Sequence, residues 1–308
     1  MSFSPAAAGL PPGETGTARA HRFRETGILD VTGEDRVGFL QGQLTQDVMN
    51  LLEGETRPAA GLSPKGKLLF TARLMRLPDR LRLLVPASRR DSVARHLARY
   101  AVFQKVAVED RSEEFLRIGL YGPPPLETSS LPGALLLPGE GELSGELLVP
   151  RSLQQASARL LADCGSEALS DEEAEIRRVE AGRPRFGQDM DESHLPDEIG
   201  MEPAISTTKG CYVGQEIVAR LRTYGRVNRR LVGYRFPEGL LPNGTLLRNP
   251  AESEPGKIDW GRVTSAVHSP RFGPIGLGFA FREIPVGGRL VADGEPDRGA
   301  VVAILPFA

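Results

Sequence analysis

The sequence predicts an α+β protein of more than one domain, closing in a small β-barrel or sandwich. Three observations carry this. The chain has 308 residues, and a single packed core rarely grows beyond ~250–300 residues. In its first third, strands and a helix follow in the order ββαβ, as in a ferredoxin-like unit. After Arg226 helical periodicity stops, and short β-rich runs separated by Gly and Pro continue to the C-terminus.

Taken in order, residues 22–31 read as a strand ending at Thr32-Gly33. Residues 34–50 read as a helix. Val37, Leu40, Leu44 and Val48 recur at helical spacing, and Glu34 and Asp35 suit the positive end of its dipole. Residues 58–62 and 68–77 are strands joined by a Ser63-Pro64-Lys65-Gly66 turn. A short strand at 81–85 leads to a helix capped by Ser88 and running to Tyr100, with Val93, Leu97 and Ala101 on one face. Strands follow at 106–109 and 115–121. The Pro-, Gly- and Leu-rich stretch 122–145 reads as a loop excursion, and 152–162 as a helix. Ser170 and Glu173 form a capping box that opens a helix ending at Gly182, with Ile176 and Val179 as its apolar face. Residues 231–236, 261–268, 276–281 and 289–291 are the strands of the C-terminal part. The pass along the chain finds no internal repeat and no coiled coil.

Composition narrows the function classes. With 40% hydrophobic and 25% charged residues, the chain is an ordinary globular one. Its net charge of −2 gives no global electrostatic case for nucleic acid. No apolar run approaches the ~20 residues that cross a bilayer. Two cysteines, Cys164 and Cys211, and four scattered histidines form no metal-ligand pattern and no disulfide framework. Residues 1–18 lack a basic start, an apolar stretch and any Arg, so they read as a disordered tail rather than a targeting signal. The expected location is the cytoplasm.

The chemistry concentrates between residues 178 and 231. Glu180 closes a helix, where the negative end of the dipole disfavours a carboxylate. It is either held there to accept hydrogen bonds from a ligand or is a solvated helix-end side chain. Lys is scarce in this chain (Lys65, Lys67, Lys105, Lys209 and Lys257), yet Lys209-Gly210-Cys211 stands before a helix read at 214–222. A thiol near a helix N-terminus and a Lys favours its thiolate; the bland alternative is a small packed hydrophobe. Cys164, beside Leu160 and Leu161, reads as structural. His194 is the nearest imidazole, but no Cys–His hydrolase signature surrounds either residue.

Residues 209–216, KGCYVGQE, resemble the signature of the YgfZ family of folate-binding proteins that maintain iron–sulfur clusters. These are relatives of the T-protein (aminomethyltransferase) of the glycine cleavage system. VEAGRPRFGQDMDESHLPDE (179–198) is similar to the segment after the core helix of both groups, and 31–48, 63–68 and 263–281 carry weaker motifs in the family's order. The resemblance implies a T-protein-like ring of three domains around a central hole that holds tetrahydrofolate. After the tail (1–18), these are a discontinuous folate-binding domain (19–48 and 112–224), a ferredoxin-like insert (49–111) and a C-terminal β-barrel (225–308). It implies an accessory protein that binds tetrahydrofolate and supports assembly or repair of iron–sulfur enzymes, including tRNA-modifying ones, through a reactive cysteine. The expected partners are folate and iron–sulfur client proteins, with no direct nucleic acid and no membrane.

By the same resemblance Glu180 meets the pteridine, whose two parallel N–H donors match a carboxylate. Lys209 falls at the T-protein's basic folate contact, Glu198 matches a patterned carboxylate without an assigned role, and Lys209 and Cys211 belong to the functional motif. A single thiolate is one of the four ligands a cluster usually takes, so the chain is not expected to hold a cluster or a metal by itself. The chain departs from the T-protein at KGKLLFTAR (65–73). Leu69 and Phe70 stand where that enzyme has its carboxylates, and no Asp occurs between Met49 and Pro78. A proton-handling carboxylate is not replaced by Leu or Phe. Folate binding is therefore expected and T-protein catalysis is not. The alternatives are a folate-dependent one-carbon transferase using another residue, and a folate-binding module in which Cys211 only packs.

Overall fold

The computed structural model describes residues 18–23, 26–122, 131–141, 143–250 and 260–308. Apart from Ala18, the expected tail lies outside the described residues, as do 123–130 and 142 of the expected loop excursion. The elements of the first half are β1 (Arg19–Phe23), β2 (Thr26–Thr32), α1 (Arg36–Gln43), β3 (Thr56–Leu62), β4 (Leu68–Arg76), β5 (Leu81–Pro86), α2 (Arg90–Tyr100), β6 (Ala107–Asp110) and β7 (Phe115–Tyr121). Then come β8 (Leu135–Pro138), β9 (Gly145–Pro150), α3 (Gln154–Asp163), β10 (Glu167–Ala168), α4 (Asp171–Glu180), α5 (Pro196–Ile199) and α6 (Gln215–Tyr224). The chain closes with β11 (Arg229–Arg235), β12 (Leu246–Arg248), β13 (Gly261–Ser269), β14 (Gly273–Phe281), β15 (Arg289–Ala292) and β16 (Glu295–Ala303). It divides into two compact units, 1–40 with 48–58 and 72–174, and 41–47 with 59–71 and 175–308.

In the first unit one sheet has the order β10-β1-β7-β9-β8. A second sheet has the order β3-β4-β5-β2-β6. Its β4-β5-β2-β6 portion has the strand order of a ferredoxin-like sheet, and it draws β2 from well before the ββαβ run that suggested such a unit. Asp30, in the middle of β2, is fully buried. It accepts hydrogen bonds from Arg82 Nε (2.6 Å) and Nη2 (2.8 Å) and from Arg80 Nη1 (3.0 Å). The described part of the expected loop excursion contains β8, paired antiparallel to β9 from Leu135 opposite Leu148 to Pro138 opposite Gly145.

This unit holds a repeat that the linear reading misses. Residues 83–100 and 147–164 share Leu-Leu-Val-Pro, a Ser two positions later and Ala-Arg-x-Leu-Ala in the following helix. Both copies form a strand with five buried residues, a proline, a 3₁₀ turn and a helix. Pro86 (φ −56°, ψ 133°) and Pro150 (φ −51°, ψ 133°) have nearly the same backbone. A proline there fits because its fixed φ suits the turn and its missing N–H falls where the ladder ends. In both copies the 3₁₀ turn precedes the α-helix, so Ser88 lies within the turn rather than capping α2.

The second unit contains a closed six-stranded barrel in the order β11-β14-β13-β12-β15-β16. Tyr234, Phe236, Val263, Leu290 and Val302 fill it, and the buried Tyr234 hydroxyl donates to Phe279 O at 2.6 Å. The sequence reading missed β12, which has three residues, and β16, whose first residues Glu295-Pro296-Asp297 carry no β pattern. α1 ends at Gln43 rather than near Asn50. Beyond it Leu44 bridges Gly61, and Thr45 N–H donates to Ala60 O at 2.9 Å, so backbone pairing replaces the last predicted turns. Gly61 is required there, since a Cβ would lie 2.2 Å from the Phe70 ring.

Candidate functional site

The turn that carries the sequence motif runs from Ile205 to Gly214 and is fastened to residues 41–46. Ser206 N–H donates to Thr45 O (3.0 Å) and Val213 N–H to Gly42 O (3.1 Å). Thr45 Oγ1 donates to Ala204 O (2.6 Å), and Gln46 Nε2 to Pro203 O (2.9 Å). Lys209 is buried at the centre of this seam. Its ammonium donates to Gln41 O and Leu44 O, both at 2.6 Å, and to Gln46 O at 2.9 Å. Three N–H donors thus meet three carbonyls at the negative end of α1. Burial pushes the ammonium down to about 8, with Asp47 pulling the other way.

Between these anchors Gly210 and Cys211 arch outward. Cys211 is a free, exposed thiol, and a Cβ added to Gly210 would meet nothing within 4 Å. Tyr212 then turns back into the core beside Ile205, Val218 and Phe279. Gly214 has φ +83°, and a Cβ there would lie 2.6 Å from Ser63 O, so only glycine opens α6 at this place. The sequence set Lys209 and Cys211 two residues apart, but their functional atoms part company. The charge is turned into the seam and the sulfur into solvent.

Glu180, the last residue of α4, is half-buried against the barrel. Ser269 Oγ donates to its Oε1 at 2.5 Å, and its own carbonyl accepts Phe307 N–H at 2.9 Å. Among the described residues its Oε2 has no partner. Two residues earlier Arg178 is buried and donates to Asp189 Oδ2 (2.7 Å) and Ser265 Oγ (2.7 Å). Asp189, also buried, accepts from Thr264 Oγ1 and Ser265 Oγ, each at 2.6 Å. This network locks the end of α4 to β13 and fixes where Glu180 points. Arg178, Asp189 and Ser269 are side chains the sequence reading did not single out. Arg178 and Asp189 lie on either side of the helix stop at Gly182, within or next to the 179–198 segment.

Glu198 is spent otherwise. Its Oε2 accepts Leu195 N–H (2.8 Å) at the start of α5, and its Oε1 accepts Arg229 Nε (3.0 Å). His194 is buried, with Nδ1 2.9 Å from Asp191 Oδ1 and its ring 4.5 Å from Phe279. Cys164 stands half-buried at the end of α3. Phe70 is a core residue, 1% exposed. Among the described residues no hydrogen bond or ion pair joins Glu180, Glu198, Lys209 and Cys211 to one another, and no group of three His, Cys, Asp or Glu lies close enough to hold a metal ion. No described helix is long and apolar enough to cross a membrane.

With this geometry in hand, comparison with known proteins gives a consistent picture. No family model matches the chain. It is 31% identical over 236 residues to the tRNA-modifying protein YgfZ of Hamiltonella defensa, covering 68% of this chain and 67% of that one. It is 30% identical over 233 residues to the tRNA-modifying protein YgfZ of Vibrio vulnificus, covering 70% and 69%. The crystal structure of glycine cleavage system aminomethyltransferase T from Bartonella henselae matches with a TM-score of 0.81, over 95% of this chain and 86% of that one at 20% identity. The α+β architecture with its closed C-terminal barrel is therefore the T-protein fold.

Proposed function

The chain belongs to the YgfZ family, and from this premise we propose that it is a tetrahydrofolate-binding accessory protein for iron–sulfur enzymes, tRNA-modifying ones among them, acting through Cys211. The observation that carries the folate part is the Glu180 carboxylate. It is fixed at a helix end, where a carboxylate is disfavoured, by a single Ser269 hydroxyl, with Oε2 unpartnered among the described residues. A pterin's paired N–H donors fit a carboxylate with that much spare accepting capacity. The Ser269 bond uses one of about four lone-pair sites. In this reading Glu180 holds the pteridine, while Arg178, Asp189 and Ser269 orient it. Bound folate would supply either one-carbon or redox chemistry.

The other two side chains taken from the resemblance receive different duties. Lys209 has committed its three N–H donors to carbonyls, and both oxygens of Glu198 are bonded. We assign Lys209 to presenting Cys211, and Glu198 to joining α5 and β11. Aminomethyl transfer is not part of the proposal, because Phe70 fills core where a proton-handling carboxylate would be needed.

Calorimetric titration with tetrahydrofolate, on the natural chain and on Glu180→Gln, tests the reading. Gln keeps an oxygen for Ser269 but sets an NH₂ against a pterin donor. A lost charge-assisted pair at such a site costs about 2–3 kcal/mol, or ~30–150-fold in affinity. Equal affinities would remove Glu180 from the site, and no binding to the natural chain would remove folate.

A further inference from the structure

Positive charge is unevenly placed in this chain. Between Glu216 and Glu238 the sequence holds Arg220, Arg222, Arg226, Arg229, Arg230 and Arg235, with no Asp, Glu or Lys, although the whole molecule carries a net charge of −2. The fold gathers part of this run around an open groove of about 560 Å³ at the end of α6, where β11 begins and β14 ends. Among the described residues its charged lining is Arg222, Arg226, Arg230 and Arg282, with Asp197 and Glu283 as acids.

The pairing inside the groove leaves charge over. Arg222 Nε donates to Asp197 Oδ1 at 2.8 Å, and Arg282 faces Glu283 at 3.6 Å. Arg230 is held by two carbonyls, Arg282 O at 3.2 Å and Ile284 O at 3.1 Å, which fix its direction without cancelling its charge. Arg226 is exposed and, among the described residues, has no hydrogen bond or ion pair. Two guanidinium charges therefore remain uncompensated within one groove, one of them held in place.

Guanidinium forks match phosphate oxygens bidentately and keep their charge at any physiological pH. The groove is open rather than enclosed, which suits an extended strand better than a small molecule held in a cavity. We propose that it is a docking surface for a single-stranded nucleic acid, gripped through its phosphodiester backbone. Such contacts fix position without reading sequence. The low net charge speaks against attraction by the molecule as a whole; the distribution, not the sum, forms a footprint. The ten residues of α6 span roughly 15 Å, which sets the strand about one helix length from the turn that presents Cys211. The inference stands on the groove alone and does not need the folate reading.

The test is fluorescence anisotropy on the full chain, with labelled 20-nucleotide single-stranded RNA and DNA of one sequence, titrated at 50 and 200 mM salt. We expect binding that weakens steeply with salt. Arg226→Glu combined with Arg282→Glu should weaken it at least tenfold and flatten the salt slope by about 0.7 per lost contact. Arg226→Ala, which touches no packing, should weaken it several-fold with an unchanged melting curve. Arg99→Glu, an exposed reversal on α2, should leave it unaltered. Stronger binding of the RNA than of the DNA would point to 2′-hydroxyl contacts, and equal binding to phosphates alone; both support the surface. No binding at 50 mM salt, or equal affinity in the double variant, would overturn it. Polyaspartate competing as well as the oligonucleotide would overturn it too, by reassigning the groove to an acidic protein.

Discussion

At the scale of single residues, Lys209 and Cys211 divide the work of one motif. The lysine gives up its proton near pH 8 in the fold, below its ordinary value of 10.5. Between those two values the unfolded chain holds the extra proton, so the stability contributed by this group rises with pH across that window. Urea unfolding of the natural chain and of Lys209→Met should therefore diverge in favour of the natural chain as pH goes from 8 to 10. A pH-independent difference would show that the ammonium is not buried as described. Cys211, exposed and bonded only through its backbone neighbours, should be replaceable by Ser without loss of fold and with tetrahydrofolate affinity kept within a few-fold. A deletion strain carrying Cys211→Ser should nevertheless lose the activity of its iron–sulfur enzymes. Full complementation would remove the Cys211 thiol from the function. The sequence named both residues but not the division between them. Spacing along a chain says nothing of which way two side chains turn, and the carbonyls that capture Lys209 lie more than 160 residues upstream.

At the scale of elements, α6 begins where two chain segments nearly touch. Gly214→Ala would force a side chain into positive φ and against Ser63 O. A loss of about 2–4 kcal/mol is expected from strain and clash together, and an unchanged denaturation midpoint would deny the close approach. On β4, the missing carboxylate predicts that the chain forms no methylene-tetrahydrofolate from an aminomethylated carrier protein. Turnover at T-protein rates would refute that branch of the assignment. Elements with strong local signals were legible from sequence. The Ser170–Glu173 capping box is present, with Glu173 N–H donating to Ser170 Oγ at 3.2 Å and Ser170 N–H to Glu173 Oε2 at 3.0 Å. The end of α1 was not legible, because its apolar spacing continues through Val48 while tertiary pairing at Leu44 and Thr45 overrides it. The repeat escaped because the matching letters are interrupted where the 3₁₀ turn passes into the helix, Arg-Arg-Asp (89–91) against Leu-Gln-Gln (153–155).

At the scale of the whole molecule, buried charge is costly wherever its partner is lost. Asp30 is enclosed with Arg82, the half-buried Arg80 beside them, and Asp30→Asn would leave Arg82 buried and under-compensated. Breaking such a pair typically costs about 3–5 kcal/mol, so the urea midpoint should fall well below that of the natural chain; no shift would mean that the pair is solvated. The α+β class and the C-terminal barrel were readable from pattern and texture. The partition of strands between sheets was not, since β2 joins partners 50 or more residues away in sequence. The seam beneath Cys211 has a further consequence for biogenesis. One side of it, 41–47, leaves the ribosome early, while the other, 203–213, is made more than 150 residues later. Such a high-separation closure is slow, because the loop entropy is spent before the contacts form. Residues 72–174, which lie between, belong to the other unit and can begin to fold meanwhile. The thiol is therefore displayed only after this late closure, and a protein cut short before residue 203 leaves the carbonyls of Gln41, Leu44 and Gln46 without the ammonium that fastens them.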